Sequence, residues 1–148
     1  HLSLRRQRQM CIRDRVLKSL SAEHVLVVHA QDGLDEFSIA GVSNVCELHA
    51  GKITHYQVSP EEVGLTAASL DQIKVQDVQD SVAMIKTLLA GEPGAPADIV
   101  AFNAGAAIYV AGLATSLSQG VELAKQQLAS GEAANKLKQL IEFTQQQT

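Results

Sequence analysis

The sequence predicts an α/β fold that contains one buried strand, a β-hairpin and about four helices. Residues 25–28 are four consecutive apolar residues, three of them valine, which is typical of a strand buried on both faces of a parallel sheet. Two alternating runs follow, and apolar residues in the second half of the chain recur at helical spacing. Such a buried strand needs parallel neighbours, which we expect to lie in sequence upstream of this chain.

Polar residues follow the buried strand directly. Asp32 and Gly33 are typical of a turn, and Asp35 and Glu36 place two adjacent carboxylates in the same loop. Open α/β sheets bind their ligands at the carboxyl ends of strands. Mg2+ is commonly held by one or two carboxylates, with water and substrate phosphate as its remaining ligands. The sequence therefore predicts a magnesium–phosphate site at Asp35 and Glu36, with Asp32 as a turn former.

A solvated acidic loop is the alternative explanation of this pair. Two carboxylates about 4 Å apart repel by only ~1 kcal/mol in water and by ~4 kcal/mol at an effective dielectric constant of 20. An exposed pair is therefore tolerated without a metal ion, and the residues alone leave both explanations open.

The two alternating runs predict a hairpin. Residues Ser43–His49 and Lys52–Val58 contain strand-favouring side chains, and Ala50-Gly51 between them indicates a tight turn with glycine at a positive φ. Pro60 ends the second strand, because proline cannot continue a central strand.

Four helices are predicted after the hairpin, over residues 81–90, 98–111, 117–130 and 132–146. Ser116 with Gln119 three residues later forms a capping box for the third helix, and Gly131 closes it. The second helix is apolar around its circumference, so we expect it to be buried. The predicted buried face of the first helix consists of Val82, Ile85, Leu88 and Leu89. That of the last helix consists of Ala133, Leu137, Leu140 and Ile141.

The charge distribution divides the 148 residues into two parts. Residues 1–15 contain every arginine and carry a net charge of +4, whereas residues 16–148 carry −8. We therefore predict that residues 1–15 are a separate basic segment of foreign or mispredicted sequence; a nucleic-acid-binding arm and a targeting peptide are the alternatives. Residues 16–148 are long enough for one ordinary domain.

Two further features bound the class of protein. Cys11 and Cys46 are the only cysteines, which excludes a disulfide framework or a cysteine zinc site and fits a reducing cytosol. The longest apolar stretch, residues 99–114, is shorter than the ~20 residues that span a bilayer, so we expect no membrane partner.

The remaining polar residues favour structural roles. We expect His29 to be a satisfied structural histidine, and His24, His49 and His55 to lie at surface-like positions without metal-ligand spacing. Asn103 should bond a neighbouring backbone, because an unsatisfied buried amide costs ~1–3 kcal/mol. We expect Ser116 and Ser118 to cap helices and Lys52 to be solvated.

With these residues in view, the chain from 16 to 143 resembles the carboxyl-terminal part of the anthranilate phosphoribosyltransferase family. The paired blocks Asp32-Gly33-Leu34-Asp35-Glu36 and residues 103–112 carry the resemblance, in order and at matching spacing. The other matching blocks are residues 27–29, 47–48, 51–53, 60–61, 64–65 and 130–131.

The resemblance implies a truncated portion of a phosphoribosyltransferase α/β domain, of the nucleoside phosphorylase and class II-like architecture. It implies transfer of phosphoribose from phosphoribosyl pyrophosphate to anthranilate in tryptophan biosynthesis, with Mg2+ held by Asp35 and Glu36. A cytoplasmic location and a homodimeric parent enzyme are also implied, without nucleic acid or membrane as partners.

Several family elements are missing from this chain, namely the glycine-rich pyrophosphate loop, the lysine–histidine–glycine–asparagine block, the helical amino-terminal portion and the arginine that engages anthranilate. We therefore expect the chain to be inactive alone and to lack the anthranilate-contacting residues. A pyrimidine nucleoside phosphorylase-like enzyme and a non-catalytic nucleic-acid-binding paralogue are the alternatives. The net charge of −8 over residues 16–148 argues against the latter.

Overall fold

The computed structural model describes residue 16 and residues 19–146, so the predicted basic segment 1–15 lies outside the described residues. Three strands are followed by four helices, as the sequence predicts. The strands are β1 (His24–Ala30), β2 (Ser43–His49) and β3 (Lys52–Val58), and the helices are α1 (Val78–Leu89), α2 (Ala95–Val110), α3 (Leu117–Ala129) and α4 (Glu132–Gln145). Two short 3-10 helices, Glu61–Val63 and Leu70–Ile73, lie between β3 and α1.

The described strands form an antiparallel sheet in the order β1-β2-β3. β1 pairs with β2 from His24 opposite His49 to Ala30 opposite Ser43. The expectation that the first strand has no neighbour within this chain is therefore wrong, whereas a parallel neighbour from upstream sequence at its other edge stays a prediction. Every residue of β1 before Ala30 is only half-buried. Valine is enriched in strands of every kind. An apolar run therefore does not distinguish a strand that is buried on both faces from a half-buried strand such as β1, at the edge of the described sheet.

The hairpin has the predicted bounds. Ala50 and Gly51 both adopt positive φ, 49° and 75°, as a two-residue turn of the mirror-image class requires. Such a turn matches the right-handed twist of its strands, which fixes the register of β2 against β3.

The helices confirm the predicted order, but the first two begin three residues earlier than expected. The Asp77 carboxylate caps α1 by accepting a hydrogen bond from the Asp80 backbone N–H at 2.9 Å. At α3, Ser116 Oγ accepts from the Gln119 N–H at 3.2 Å, which confirms its capping role. Ser118 is not a cap, because its hydroxyl donates to the Glu62 carbonyl at 3.2 Å.

The main core lies between the sheet and helices α2 and α3. Phe37 and Phe102 stack at its centre, with ring centroids 4.4 Å apart. The other buried members of this cluster are Val45, Val58, Val63, Leu65, Ala106, Leu117 and Val121. α2 also meets α3 at a crossing of small residues, where a Cβ on Gly105 would lie 2.5 Å from the Val121 backbone nitrogen. The crossing therefore depends on glycine at position 105.

Three predicted burial patterns differ from the structure. α4 has no buried residue among those described, and its predicted core residues Leu137, Leu140 and Ile141 are 36–57% exposed. On α1, Leu88 is buried and Leu89 is half-buried, but Val82 and Ile85 are each 43% exposed. α2 is exposed at Val100, Ala104 and Ala107 rather than buried all round. Helical spacing identifies residues that share a face, but not whether a partner covers that face.

Candidate functional site

Asp35 and Glu36 lie where the sequence predicts, in the loop that joins the carboxyl end of β1 to β2. Both residues are exposed, whereas the three residues that follow, Phe37, Ser38 and Ile39, are at most 1% exposed. The loop is anchored to β1 by the Ala30 N–H, which donates to the Leu34 carbonyl at 3.0 Å. The two carboxylates are therefore presented to solvent between fixed segments of backbone.

Asn103 of α2 holds this loop in place. Its Oδ1 accepts from the Phe37 N–H at 2.9 Å, and its Nδ2 donates to the Phe37 carbonyl at 3.0 Å and to the Ile99 carbonyl at 3.0 Å. The predicted backbone-bonding role of Asn103 is confirmed. It also joins the acidic block to the block at residues 103–112, because Phe37 directly follows Glu36.

Asp32 is a turn residue, as predicted. Its Oδ1 accepts from the Leu34 N–H at 3.2 Å, and its Oδ2 accepts from the Ser38 hydroxyl. Both carboxylate oxygens are thus used within the loop. His29 has the expected structural role, because its Nδ1–H donates to the Leu34 carbonyl at 3.2 Å.

The loop chemistry fits a divalent cation with a preference for hard oxygen ligands. Asp35 and Glu36 offer adjacent carboxylates that are open to solvent, on a backbone that Asn103 restrains. Mg2+ usually binds through one or two carboxylates and keeps several waters or phosphate oxygens. Their role as magnesium ligands stays a prediction.

A second polar cluster surrounds Glu47, a residue that is only 8% exposed. Its Oε1 accepts from His24 Nε2 at 2.8 Å and from the Tyr109 hydroxyl at 2.8 Å. His49 stacks on His24 with ring centroids 4.2 Å apart. The ligand atoms of His24, Glu47 and His49 all lie within 4.8 Å of one another.

This arrangement corrects the surface-like position expected for His24 and the expectation that His24 and His49 are not placed to share a metal ion; His49 itself is exposed, as predicted. His24 is half-buried. The strand register places it directly opposite His49, so the two rings are close in space although they are far apart in the sequence. His55 is exposed as expected, with its Nε2 3.7 Å from Cys46 Sγ. The sequence contained one indication that Glu47 is buried, because Glu47 lies on the same strand face as the core residue Val45.

Burial alone raises the pKa of Glu47, but hydrogen bonds from Tyr109, His24 and Tyr56 and the nearby His24 charge outweigh it, so the net pKa is lowered. Burial, with the hydrogen bond to Glu47 and its negative charge, raises the pKa of Tyr109 to about 12. Burial and the Glu47 charge also raise the pKa of Tyr56. The network therefore favours an ionised Glu47 beside neutral phenols.

Two simpler expectations concern the surface. Lys52 is exposed, as predicted for a solvated residue after the turn. Within the described part of the chain, none of the helices combines the length and the apolar character needed to cross a bilayer.

Comparison with known proteins agrees with this architecture. One relative, anthranilate phosphoribosyltransferase of Saccharophagus degradans, is 52% identical over 133 residues, which are 87% of this chain and 39% of the relative. The solved anthranilate phosphoribosyltransferase of Thermus thermophilus superposes with a TM-score of 0.79 at 42% identity, over 88% of this chain and 38% of that one. The chain thus spans about two fifths of the length of the proteins it matches.

A more distant solved structure, anthranilate phosphoribosyltransferase from Saccharomyces cerevisiae in complex with PRPP and Mg, shows the same fold. Its TM-score is 0.67 at 20% identity, over 76% of this chain and 33% of that one. The sequence profile of the family described as "Glycosyl transferase family, a/b domain" matches residues 2–134. By this match, which covers most of its length, the chain belongs to the glycosyl transferase family, a/b domain.

Proposed function

We propose that this chain is the carboxyl-terminal portion of an anthranilate phosphoribosyltransferase, which transfers phosphoribose from phosphoribosyl pyrophosphate to anthranilate in tryptophan biosynthesis. The observation that carries the proposal is the 52% identity to a relative of that name. The same name favours this reaction over that of a pyrimidine nucleoside phosphorylase. Because the chain covers 39% of that relative, we propose the activity for a longer protein that includes it.

In that protein, Asp35 and Glu36 hold Mg2+. Support comes from their exposure, their hard oxygen donors and the backbone restraint that Asn103 provides on Phe37. The distant yeast structure is a complex with PRPP and Mg, which agrees with the ion proposed here. When bound, Mg2+ neutralises negative charge that accumulates on the departing pyrophosphate, and such an interaction stabilises the transition state more than the ground state.

The chain's own contribution is to position the carboxylates. Asp32 closes the turn before them, and Asn103 fixes the backbone directly after them. A pre-positioned pair avoids the ordering cost that a flexible loop would incur when the magnesium–pyrophosphate complex binds. We place the protein in the cytoplasm, in keeping with the biosynthetic reaction proposed for it.

A chimera tests the proposal. The matching 133 residues of the Saccharophagus degradans relative are replaced by those of this chain, and anthranilate consumption is followed with phosphoribosyl pyrophosphate and Mg2+. We expect a folded chimera to consume anthranilate, and the 148-residue chain alone to show no turnover. A folded but inactive chimera would contradict the proposed reaction.

The metal role needs a matched pair of variants in the active chimera. Asp35→Asn with Glu36→Gln should abolish magnesium-supported turnover while leaving the circular dichroism spectrum unchanged. Glu61→Gln with Glu62→Gln is the control, because these residues are also adjacent, acidic and exposed. Equal activity of the two double variants across a magnesium titration would remove the role from Asp35 and Glu36.

A further inference from the structure

His24, Glu47 and His49 lie together at the end of the sheet that is remote from the acidic loop. His24 begins β1 and pairs directly opposite His49, the last residue of β2. Glu47 precedes His49 by two positions, so all three side chains lie on the same face of the sheet. This is the face that α2 covers, since Tyr109 near the end of α2 contacts both His24 and Glu47.

The burial of the three residues resembles that of an open metal site. The side chains of His24 and Glu47 are each 11% exposed, whereas His49 is exposed. Two ligands are thus held by surrounding protein, and the third lies at the boundary with solvent. A fourth position would be accessible to water, as in zinc sites with three protein ligands.

We propose that His24, Glu47 and His49 bind a divalent transition-metal ion, with Zn2+ as the expected occupant. Two imidazoles and one carboxylate form a ligand set that Zn2+ accepts, and imidazole also suits Cu2+, Ni2+ and Co2+. Among the described residues, this is the one group of three metal-ligating side chains whose donor atoms converge within 4.8 Å.

Binding requires one local movement. Ligand atoms around tetrahedral Zn2+ lie about 3.3 Å apart, given bonds of about 2.0–2.1 Å. The rings of His24 and His49 are stacked at an interplanar angle of 13°, so one ion cannot lie in both ring planes until one ring turns. His49 is the ring that turns, because it is exposed and a surface rotamer change is inexpensive.

The surroundings of the cluster support the ligand role of Glu47. The Tyr109 hydroxyl donates to its Oε1 and would orient the carboxylate as an outer-sphere partner. The ion replaces the proton with which His24 Nε2 bonds Glu47. That proton moves to Nδ1 if the ring is neutral and leaves to solvent if the ring is protonated, so that a neutral imidazole binds the ion in either case. Tyr56 also hydrogen-bonds Glu47. The nearby cation is Lys52, which pairs with His49 across the hairpin. Lys52 is exposed, so its repulsion of the ion is screened by solvent.

This site is separate from the proposed magnesium site and does not rest on the proposed reaction. His24 and Ala30 are the two ends of β1, and a strand of seven residues spans about 20 Å between them. Asp35 and Glu36 follow the far end.

Cobalt substitution tests the proposal on the full 148-residue chain. Co2+ is titrated into metal-free chain while the visible ligand-field absorption is recorded, and Zn2+ is then used to displace it. We expect one equivalent of Co2+ to produce the intense absorption of a four-coordinate site. His49→Gln should weaken affinity by more than the roughly 10- to 100-fold that loss of an outer-sphere partner costs.

His55→Gln is the matched control, because His55 is another exposed histidine of the same hairpin and is not a member of the cluster. It should bind Co2+ like the unmodified chain. Equal affinity of the His49→Gln variant and the unmodified chain would overturn the proposal, as would absence of the absorption. Loss of binding in Asp35→Asn with Glu36→Gln, but not in His49→Gln, would assign the ion to the acidic loop and would also overturn it.

Discussion

The side-chain amide of Asn103 pairs with both backbone groups of Phe37, a residue 66 positions away in the sequence. The two bonds of 2.9 and 3.0 Å use the amide as if it were a peptide group of a neighbouring strand. The backbone directly after Glu36 therefore cannot shift without breaking its connection to α2.

Substitution of Asn103 tests this connection. Asn103→Ala leaves the buried N–H and carbonyl of Phe37 without their partner, and each unsatisfied group costs about 1–3 kcal/mol. We expect a loss of about 2 kcal/mol or more in the free energy of unfolding, measured with urea. Gln57→Ala is the control, because the Gln57 amide bonds Asn44 at the exposed surface. Similar losses for both variants would contradict the anchoring role of Asn103.

Gly105→Ala should destabilise the chain, although alanine is the better helix former by about 1 kcal/mol. The added Cβ would lie 2.5 Å from the Val121 nitrogen and 2.8 Å from the Gly120 carbonyl carbon, and these are backbone atoms that cannot rotate away. We expect a net loss of about 1–3 kcal/mol in urea unfolding. Gly41→Ala is the comparison, because no atom lies within 4 Å of a Cβ there. A stabilised Gly105→Ala variant would show that α2 and α3 cross less closely.

The two tyrosines of the chain should both ionise above their ordinary pKa of 10, because burial and Glu47 disfavour the phenolate. A raised pKa in the folded state means that stability is fully present below pH 10 and declines as the pH rises to about 12, where Tyr109 ionises. Ultraviolet titration of tyrosinate measures this directly. Tyr109→Phe should remove the step near pH 12, and the urea-unfolded chain should titrate near pH 10. Native ionisation near pH 10 would exclude the Glu47 network.

The outer face of α4 should contribute little to the stability of this chain. Leu140 and Phe143 are 57% and 59% exposed, so Leu140→Ser or Phe143→Ser should change the unfolding free energy by less than about 0.5 kcal/mol. Leu128→Ala should cost about 2–5 kcal/mol, because Leu128 is 8% exposed within the cluster that joins α2 and α3. Thermal and urea unfolding measure the difference between the α4 variants and Leu128→Ala. A large loss for Leu140→Ser would indicate that α4 packs into a core.

Local signals predicted the local structure well. The turn at Ala50-Gly51, the cap at Ser116 and the turn residue Asp32 depend on neighbouring backbone, which the sequence itself specifies. The backbone-bonding role of Asn103 was also predictable, since an amide in an apolar helix must find a partner.

Non-local pairing was less predictable. Four apolar residues in a row do not reveal whether their neighbour is parallel or antiparallel, and β1 proved to be antiparallel to β2. The proximity of His24 to His49 depends on that register, so spacing along the chain could not show it. The apolar stripe of α4 was correctly assigned to one helix, but burial requires a covering surface that the stripe does not specify.

Asn103 and Gly105 are two residues apart on α2, and they connect that helix to opposite neighbours. One holds the acidic loop, and the other touches the backbone of α3 at Gly120 and Val121. The position of the carboxylates consequently depends on how closely α2 packs against α3. A side chain at position 120 would meet the Gly105 backbone, so we expect it to displace α2 and, through Asn103, the loop proposed to hold the metal ion.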